Sequence, residues 1–276
     1  MKIHMLRRGS VLTIVVGIVV TAIMLFPLYW MLVNSLETTQ EMFSIPAPLV
    51  PTTITFAPYM TVLQTQLSHL LTSLIVALGT VVVSLVIATP SAYALAHFRF
   101  RITLVVVFCL LLTQMIPTVT LATPMFLIFN KLGLLNSYLG LILADTTYAV
   151  PFNILILRAF LQSVPYELAE AAFVDGTGEW GAFIRVMLPV VTPGLITAGL
   201  FSFLFGWGDF LYALTIMTSS SIQPVSVSIY NFLGQFGAQW NDLMAVAVLA
   251  SIPAAILLIA FQGYITAGLT SGAVKG

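Results

Sequence analysis

The stretch ELAEAAFVDGTGEWGAFIRVMLP, from Glu167 to Pro189, interrupts an otherwise apolar chain. It carries Glu167, Glu170, Asp175 and Glu179, which are four of the nine acidic residues in the protein. Glycines divide it into two short runs of helix-forming residues, and Leu-Pro closes it. This pattern predicts a folded polar connection between two apolar segments.

The composition defines the environment of that connection. The protein has 276 residues, of which 60% are hydrophobic and only 7% are charged, whereas about 25% of residues are charged in a soluble domain. We therefore expect an all-α polytopic membrane protein. The zero net charge and the absence of a basic block exclude nucleic acid as an expected partner. Cys109 is the only cysteine, so we expect a small buried apolar residue without disulfide or metal chemistry.

Six apolar segments reach the roughly 20 residues that are needed to cross a bilayer. They cover residues 10–36, 68–96, 102–130, 134–161, 190–218 and 243–264. The first is too long for the apolar core of a signal peptide and lacks a small-residue cleavage pattern, so we interpret it as a span. The prediction is a single transmembrane domain over residues 1–276, with a folded loop at 163–189 and a tail at 265–276.

The basic residues predict the orientation of these spans. If the N-terminus is cytoplasmic, only Lys131 lies outside, and eight of the nine basic residues lie inside: Lys2, Arg7, Arg8, Arg99, Arg101, Arg158, Arg185 and Lys275. Cytoplasmic loops carry such an excess of Lys and Arg. Both termini and the 163–189 loop are therefore expected on the cytoplasmic side.

The first half of the loop is expected to form a helix. Ser163 and Pro165 are typical of a helix start. Leu168, Ala171 and Ala172 follow at helical spacing and predict an apolar face of mostly small side chains. Such a face suits close docking.

The second half of the loop turns back towards the membrane. Asp175-Gly176 predicts a turn with a left-handed glycine, a second short helix follows it, and Leu188-Pro189 ends that helix. Residues 167–189 hold four acids and one base, a net charge of −3, which disfavours an anionic lipid surface and favours a basic protein partner. An ordinary interfacial linker is the alternative.

The loop resembles the EAA motif of binding-protein-dependent ABC importer permeases. Glu170-Ala171-Ala172, Gly176 and Leu188-Pro189 match that motif, with Val186 where Ile is usual. The tail GLTSGAVKG, residues 268–276, resembles the ending of MalG-type sugar-importer permeases. The stretch WGDFLYAL, residues 207–214, is similar to a Trp-Asn-Asp/Glu motif of the same group, with Gly208 in place of Asn.

The resemblance implies a type I importer fold in which the loop forms coupling helices that dock on a cytoplasmic ATPase subunit. Glu170 would be a charge partner, Gly176 an unobstructed turn, and Ala171 and Ala172 a surface for close approach. The remaining matched residues of the coupling element are Asp175, Leu188 and Pro189.

The resemblance also implies the assembly around the chain. The expected partners are a second related permease, two copies of the ATPase subunit, an extracytoplasmic solute-binding protein and membrane lipid. ATP and Mg would be bound by the ATPase, so this chain is expected to hold no cofactor. The implied location is a bacterial or archaeal inner membrane, and the implied cargo is a carbohydrate or sugar-like solute.

Polar residues within the spans are candidates for the solute pathway. Asp145 is expected near the middle of the fourth span, where an ionisable group points to function, although helix packing explains it equally well. Asp209 is expected near the outer surface, where a structural role is favoured. Gln114, Tyr148 and Asn153 are candidates for hydrogen bonds to sugar hydroxyls, and interhelical contacts are the alternative.

Soluble catalytic motifs are absent from the sequence. It lacks the phosphate loop GxxxxGK[ST], the G-x-S-x-G elbow, HExxH and a clustered set of metal ligands. The chain is therefore expected not to be an enzyme. An ion-coupled secondary transporter remains as an alternative, but it predicts inverted repeats and more acids or bases at mid-membrane. A membrane scaffold remains as well, and it leaves the polar loop unexplained.

Overall fold

The computed structural model describes residues 3–98, 101–235 and 239–271, and all regular structure in these ranges is helical. The α-helices are α1 (Ile3–Leu36), α2 (Thr39–Met42), α3 (Ala57–Thr65), α4 (Leu67–His97), α5 (Thr103–Met115), α6 (Thr118–Lys131), α7 (Tyr138–Ser163), α8 (Glu167–Val174), α9 (Glu179–Ala182), α10 (Leu188–Val190), α11 (Thr192–Gly208), α12 (Leu211–Ile216), α13 (Val225–Gln235) and α14 (Trp240–Ser271). A π-helical turn covers Phe183–Met187, and a 3₁₀ turn covers Ser220–Ile222. The all-α prediction is thereby confirmed.

Four stretches of helix are long and apolar enough to cross a membrane: Val11–Leu36, Leu67–His97, Tyr138–Ser163 and Trp240–Tyr264. Two bent pairs reach the same length together, namely Thr103–Met115 with Thr118–Lys131, and Glu179–Val190 with Thr192–Gly208. Counting each pair as one span gives six. Length and apolar character thus reproduce the number of segments expected from the sequence.

The segment at residues 102–130 is broken into two helices, because α5 and α6 meet at 97°. Ile116, at the break, is extended with ψ of 121°, and Pro117 follows it with ψ of 129°. Proline disfavours helical geometry in the residue before it and has no N–H for the ladder. Pro117 therefore accounts for the break.

The segment at residues 190–218 is also shorter as a helix than predicted. α11 ends at Gly208, and Asp209 leaves the helix with ψ of 128°. The Asp209 carboxylate then accepts hydrogen bonds from the backbone N–H groups of Tyr212 (3.2 Å) and Ala213 (2.8 Å). Because these donors belong to the first turn of α12, Asp209 starts a new helix instead of continuing α11.

The chain divides into two compact units. The first holds residues 1–67 and 231–251, and the second holds residues 68–230 and 252–276. In the first unit, α1 packs on α3, and the hydroxyls of Ser35 and Tyr59 lie 2.7 Å apart. The apolar side chains of Val11–Leu36 are largely exposed, as expected for a helix facing lipid or another subunit.

In the second unit, α7 lies at the centre and packs on α5, α11 and α12. Buried Asn153 of α7 donates to the hydroxyls of Ser202 in α11 (2.7 Å) and Ser84 in α4 (3.2 Å). Gly206 of α11 allows close approach to α4, since an added Cβ would lie 3.0 Å from the Ala77 Cα. Small residues and interhelical hydrogen bonds of this kind hold membrane helices together.

Candidate functional site

The polar loop at residues 163–189 folds on the second unit as two short helices. Its first helix, α8, starts at Glu167, later than Ser163 and Pro165 suggest, because Ser163 is still the last residue of α7. The Ser163 hydroxyl donates back to the Phe160 carbonyl (2.7 Å) and so does not cap α8. Glu167 and Glu170 lie in the first turn of α8, where the helix dipole favours negative charge.

Gly176 ends α8 in the left-handed conformation that its sequence predicts, with φ of +83°. The Gly176 N–H donates to the Phe173 carbonyl (3.0 Å), and the Thr177 N–H donates to the Ala172 carbonyl (3.0 Å). These two bonds form a Schellman motif, which satisfies carbonyls that the helix end leaves free. A Cβ at Gly176 would meet no atom within 4 Å, so the backbone conformation, and not space, requires glycine.

The two faces of α8 differ in exposure. Ala169 and Ala172 are buried against the helices below, whereas Glu170, Ala171 and Asp175 are exposed. The sequence predicts that Leu168, Ala171 and Ala172 share one apolar face of mostly small side chains. In the structure Leu168 and Ala171 are exposed, whereas Ala172 is packed inward. The surface available to a partner combines exposed carboxylates with exposed apolar side chains, which are Leu168, Val174, Trp180 and Ile184.

We call this outer face of residues 167–184 the docking face, and an aromatic cluster anchors it to α4. The rings of Tyr93 and Phe183 have centroids 4.8 Å apart, and those of His97 and Tyr166 have centroids 4.9 Å apart. Trp180 continues the cluster, with its ring centroid 5.1 Å from that of Phe183. Edge and tilted contacts of this kind contribute about 0.5–1.5 kcal/mol per pair beyond buried area.

The carboxylates of the docking face affect the pKa of the Tyr166 hydroxyl. Burial raises the pKa of Tyr166, and the negative charges of Glu179 and Glu170 raise it further. The same two charges therefore act on one ring of the cluster from two different helices. Glu170 and Glu179 belong to a single acidic surface.

The loop returns to the membrane through a π-helical turn at Phe183–Met187, directly before Leu188-Pro189. In an α-helix the Pro189 ring would collide with the carbonyl four residues earlier, and the wider turn relieves that collision. The Leu188 N–H donates to the Phe183 carbonyl five residues back. The chain then bends by 77° at Val191, two residues after Pro189, where α11 begins.

A second feature of the same unit is a cavity of about 360 Å³ between α7, α11 and α12. It is lined by Thr118, Asp145, Tyr148, Leu204, Phe205, Gly208, Asp209, Phe210, Leu211 and Tyr212. Three of the five expected pathway residues, Asp145, Tyr148 and Asp209, meet here. Gly208 and Phe210 are exposed, so they mark its rim.

Asp145 and Asp209 line one cavity, although the sequence predicts Asp145 near the middle of the membrane and Asp209 near its outer surface. α7 begins at Tyr138 and not at residue 134, which puts Asp145 only about 10 Å along the helix. Both residues therefore line the same cavity. Asp145 is 3% exposed, and its Oδ2 has no hydrogen-bond partner among the described residues.

Gln114 and Asn153 do not line the cavity. The Gln114 Nε2 donates to the Tyr148 carbonyl (3.2 Å), which joins α5 to α7. Asn153 joins α7 to α4 and α11 through the two serines described above. Both side chains hold helices together, which was the alternative that the sequence left open.

Several residues of both features carry no distinctive signal in the sequence. Tyr93 and His97, whose rings anchor the docking face, are four residues apart in an apolar helix. That spacing is typical of ordinary helix packing. Phe205 and Tyr212 line the cavity from α11 and α12, and only the break at Asp209 brings them to one place. Among the described residues, no group of three or more His, Cys, Asp or Glu is arranged to hold a metal ion. Cys109, expected to be buried, is exposed.

Residues 81–271 match the family of binding-protein-dependent transport system inner membrane components. The match covers most of the chain, so the protein belongs to this family. The chain is a membrane-spanning permease subunit of the MalG type. This family membership supports the importer interpretation over the alternative of a self-sufficient secondary transporter.

Two relatives are similar along most of their length. The trehalose transport system permease SugB of Mycobacterium tuberculosis is 36% identical, covering 91% of this chain and 93% of that protein. The trehalose/maltose transport system permease MalG of Thermococcus litoralis is 31% identical, covering all of both chains. A solved bacterial ABC transporter that imports the acidic polysaccharide alginate shares the fold, with a TM-score of 0.80 at 23% identity over 94% of this chain and 96% of that chain.

Proposed function

We propose that this chain is a translocation subunit of an ATP-driven importer for a carbohydrate or sugar-like solute. The observation that carries the proposal is the docking face, which is acidic, exposed and anchored by an aromatic cluster to α4. The relatives SugB and MalG, named for trehalose and maltose transport, support the substrate class.

In this proposal the docking face receives a cytoplasmic ATPase subunit. Glu170 pairs with a basic side chain of that subunit, since charge-assisted hydrogen bonds are among the strongest polar contacts. Ala171 permits close approach, while Asp175 and Gly176 end α8 so that the face is not obstructed. Leu188 and Pro189 direct the motion of the loop into α11.

The rest of the assembly follows from the same proposal. A second related permease completes the pathway, two ATPase copies bind ATP and Mg, and an extracytoplasmic binding protein delivers the solute. ATP hydrolysis belongs to the ATPase, so this chain is not itself an enzyme. The complex resides in a bacterial or archaeal inner membrane with both termini of this chain in the cytoplasm; residues 272–276 lie outside the described residues.

Copurification tests the proposal. The tagged chain, expressed with its neighbouring genes, is expected to bring down an ATPase with measurable turnover. Glu170→Ala should reduce recovery of that ATPase about fivefold or more, the equivalent of about 1 kcal/mol. Gln162→Ala is the control, because Gln162 is exposed near the end of α7 and lies outside the docking face.

Two results would overturn the proposal. One is a folded, membrane-inserted chain with which no ATPase copurifies. The other is equal ATPase recovery and equal solute uptake for the native chain, Glu170→Ala and Gly176→Pro. Uptake is measured in cells with radiolabelled trehalose and maltose.

A further inference from the structure

The connection between α1 and α3, residues 37–56, exposes an apolar patch in the first compact unit. Ile45 is 97% exposed, and three apolar side chains near it in sequence are exposed as well: Phe43, Leu49 and Val50. We call residues 43–50 the apolar tip. The sequence has no charged residue and no histidine between Met42 and Ser68. An exposed apolar patch of this kind marks contact with a membrane or with another protein.

Two hydrogen bonds fold the connection back along α1. The hydroxyl of Tyr29, in α1, donates to the Leu49 carbonyl in the apolar tip. The Thr55 N–H donates to the Leu36 carbonyl at the end of α1 (2.9 Å). Tyr29 precedes Leu36 by about 10 Å along the helix. The chain therefore descends beside α1 to the level of Tyr29 and then returns to the level of Leu36.

Polar contacts join the two limbs of the connection. The Thr52 hydroxyl donates to the Glu41 carboxylate, and the Thr38 hydroxyl caps the short helix α2. Glu41 is the last charged residue before the apolar tip. The limbs that begin and end beside Leu36 thus carry polar pairs, whereas the tip that reaches the level of Tyr29 is apolar.

The level of Tyr29 corresponds to the boundary of a hydrocarbon core. The sequence has basic residues at Arg7 and Arg8, and the apolar span begins after them at Val11. Tyr29 lies about 27 Å along the helix from Val11, and the hydrocarbon core of a bilayer is about 30 Å thick. Tyr29 and Trp30 are neighbouring aromatic residues of the kind that is enriched at membrane–water interfaces. The hydrogen bond from Tyr29 therefore holds the apolar tip at such an interface.

The backbone of the tip suits the interface better than the hydrocarbon core. Irregular backbone exposed to lipid tails leaves N–H and C=O groups without partners, which is costly. Pro46, Pro48 and Pro51 have no N–H, so fewer donors need a partner in this stretch. The headgroup region hydrates the remaining backbone groups, while apolar side chains reach the acyl boundary.

We propose that the apolar tip inserts into the interfacial region of the bilayer and binds membrane lipid, which fixes the depth of the end of α1. The lack of charge favours lipid over a protein partner, because protein interfaces have a polar rim. In the orientation proposed above, the tip occupies the outer leaflet. The insertion itself does not depend on the importer function.

Spin-label accessibility tests the insertion. Ile45→Cys in a Cys109→Ser background is labelled with a methanethiosulfonate nitroxide, and the full chain is reconstituted in vesicles of phosphatidylcholine and phosphatidylglycerol. Collision rates are measured with oxygen, which concentrates in lipid, and with a neutral nickel chelate, which stays in water. The oxygen-to-nickel ratio should exceed that at Ser221→Cys, an exposed position in the 3₁₀ turn, by about threefold or more. Ile18→Cys, exposed on α1, gives the reference ratio for the hydrocarbon core.

Three results would overturn the proposal. A ratio equal to that at Ser221→Cys would place the tip in water. Low collision rates with both reagents would place it against protein. Low rates that appear only when the copurified subunits are present would assign the tip to a partner subunit.

A second position keeps the test independent of one variant. Val50→Cys is exposed as well and should give the same high ratio, including where Ile45→Cys is not recovered in folded form. Neither measurement in vesicles requires ATPase copurification or solute uptake. Failure of the insertion is therefore distinguishable from failure of the proposed importer function.

Discussion

The imidazole of His97, at the end of α4, lies against the phenol ring of Tyr166, one residue before α8, with centroids 4.9 Å apart and an interplanar angle of 30°. His97 Nε2 is buried and has no hydrogen-bond partner among the described residues, so ring packing carries this contact. Close-packed rings transmit displacement because interiors have little free volume. The docking face is thereby connected to a membrane helix other than α7 and α11, which flank it in sequence.

Removing the Tyr166 ring should weaken that connection. Tyr166→Ala gives up contacts with His97 and Phe173, which are worth about 1 kcal/mol or more. We expect the solute imported per ATP hydrolysed to fall about fivefold, measured in proteoliposomes with the complete complex. Tyr166→Phe keeps the rings and should behave as the native chain, and a normal ratio for Tyr166→Ala would contradict a coupling role.

The turn at Gly176 should tolerate substitution less well than its neighbour Gly178. Both glycines have open space for a Cβ, but only Gly176 has a positive φ, whereas Gly178 is extended with φ of −77°. Gly176→Ala should therefore destabilise the loop by about 1–2 kcal/mol, while Gly178→Ala changes little. Hydrogen exchange of residues 167–182 measures the difference, and equal exchange in both variants would refute this explanation of the turn.

Filling the rim of the cavity should impair uptake without loss of the fold. Gly208→Leu places a side chain at the rim of the cavity between α7, α11 and α12, which the proposed function would make part of the solute pathway. We expect uptake of the transported sugar to drop about tenfold or more at unchanged amounts of chain in the membrane, as for a misplaced substrate group. Gly17→Leu, on the exposed face of α1, is the control. Uptake that is equally reduced in both variants would point to general disruption.

The pH dependence of stability should include a contribution from Glu37, which follows α1 and is 1% exposed. With its amide oriented to satisfy both neighbours, Asn34 accepts from Trp30 Nε1 and donates to Glu37 Oε2 (3.3 Å), whereas Oε1 has no partner among the described residues. Burial, and then the negative charge of Glu41, raises the pKa of Glu37 above 4.5. Folding therefore favours the protonated form.

The sign of this contribution follows from the raised pKa. Stability from Glu37 is fully present below pH 4.5 and is lost as pH rises through its folded pKa. Glu37→Gln should flatten the fall of Tm as pH rises above 4.5 in the detergent-solubilised chain. Glu41→Gln should act in the opposite direction, because a hydrogen bond from Thr52 lowers the Glu41 pKa. A fall in Tm that is identical with and without Glu37 would exclude this group as its source.

Periodicity and composition were sufficient for much of the architecture. Apolar runs of about 20 residues require helices in lipid, because unpaired backbone groups are too costly there. Gly176 was recognisable as a left-handed turn because a two-residue Asp-Gly signal depends only on local conformation. The match of Glu170, Gly176 and Leu188-Pro189 to one motif was likewise readable along the chain.

Contacts between distant segments were not readable in this way. The break at Pro117 is local, because proline lacks a backbone N–H and disfavours a helical residue before it. The early end of α11 at Asp209 and the inward direction of Ala172 depend on packing against neighbours. Asp145 and Asp209 are 64 positions apart in sequence, yet they line one cavity because α11 stops and α12 returns beside α7. The sequence by itself determined a six-segment helical membrane protein with a folded polar loop. Tertiary structure decided which of its polar side chains face a cavity, because that depends on where helices break and which faces they bury.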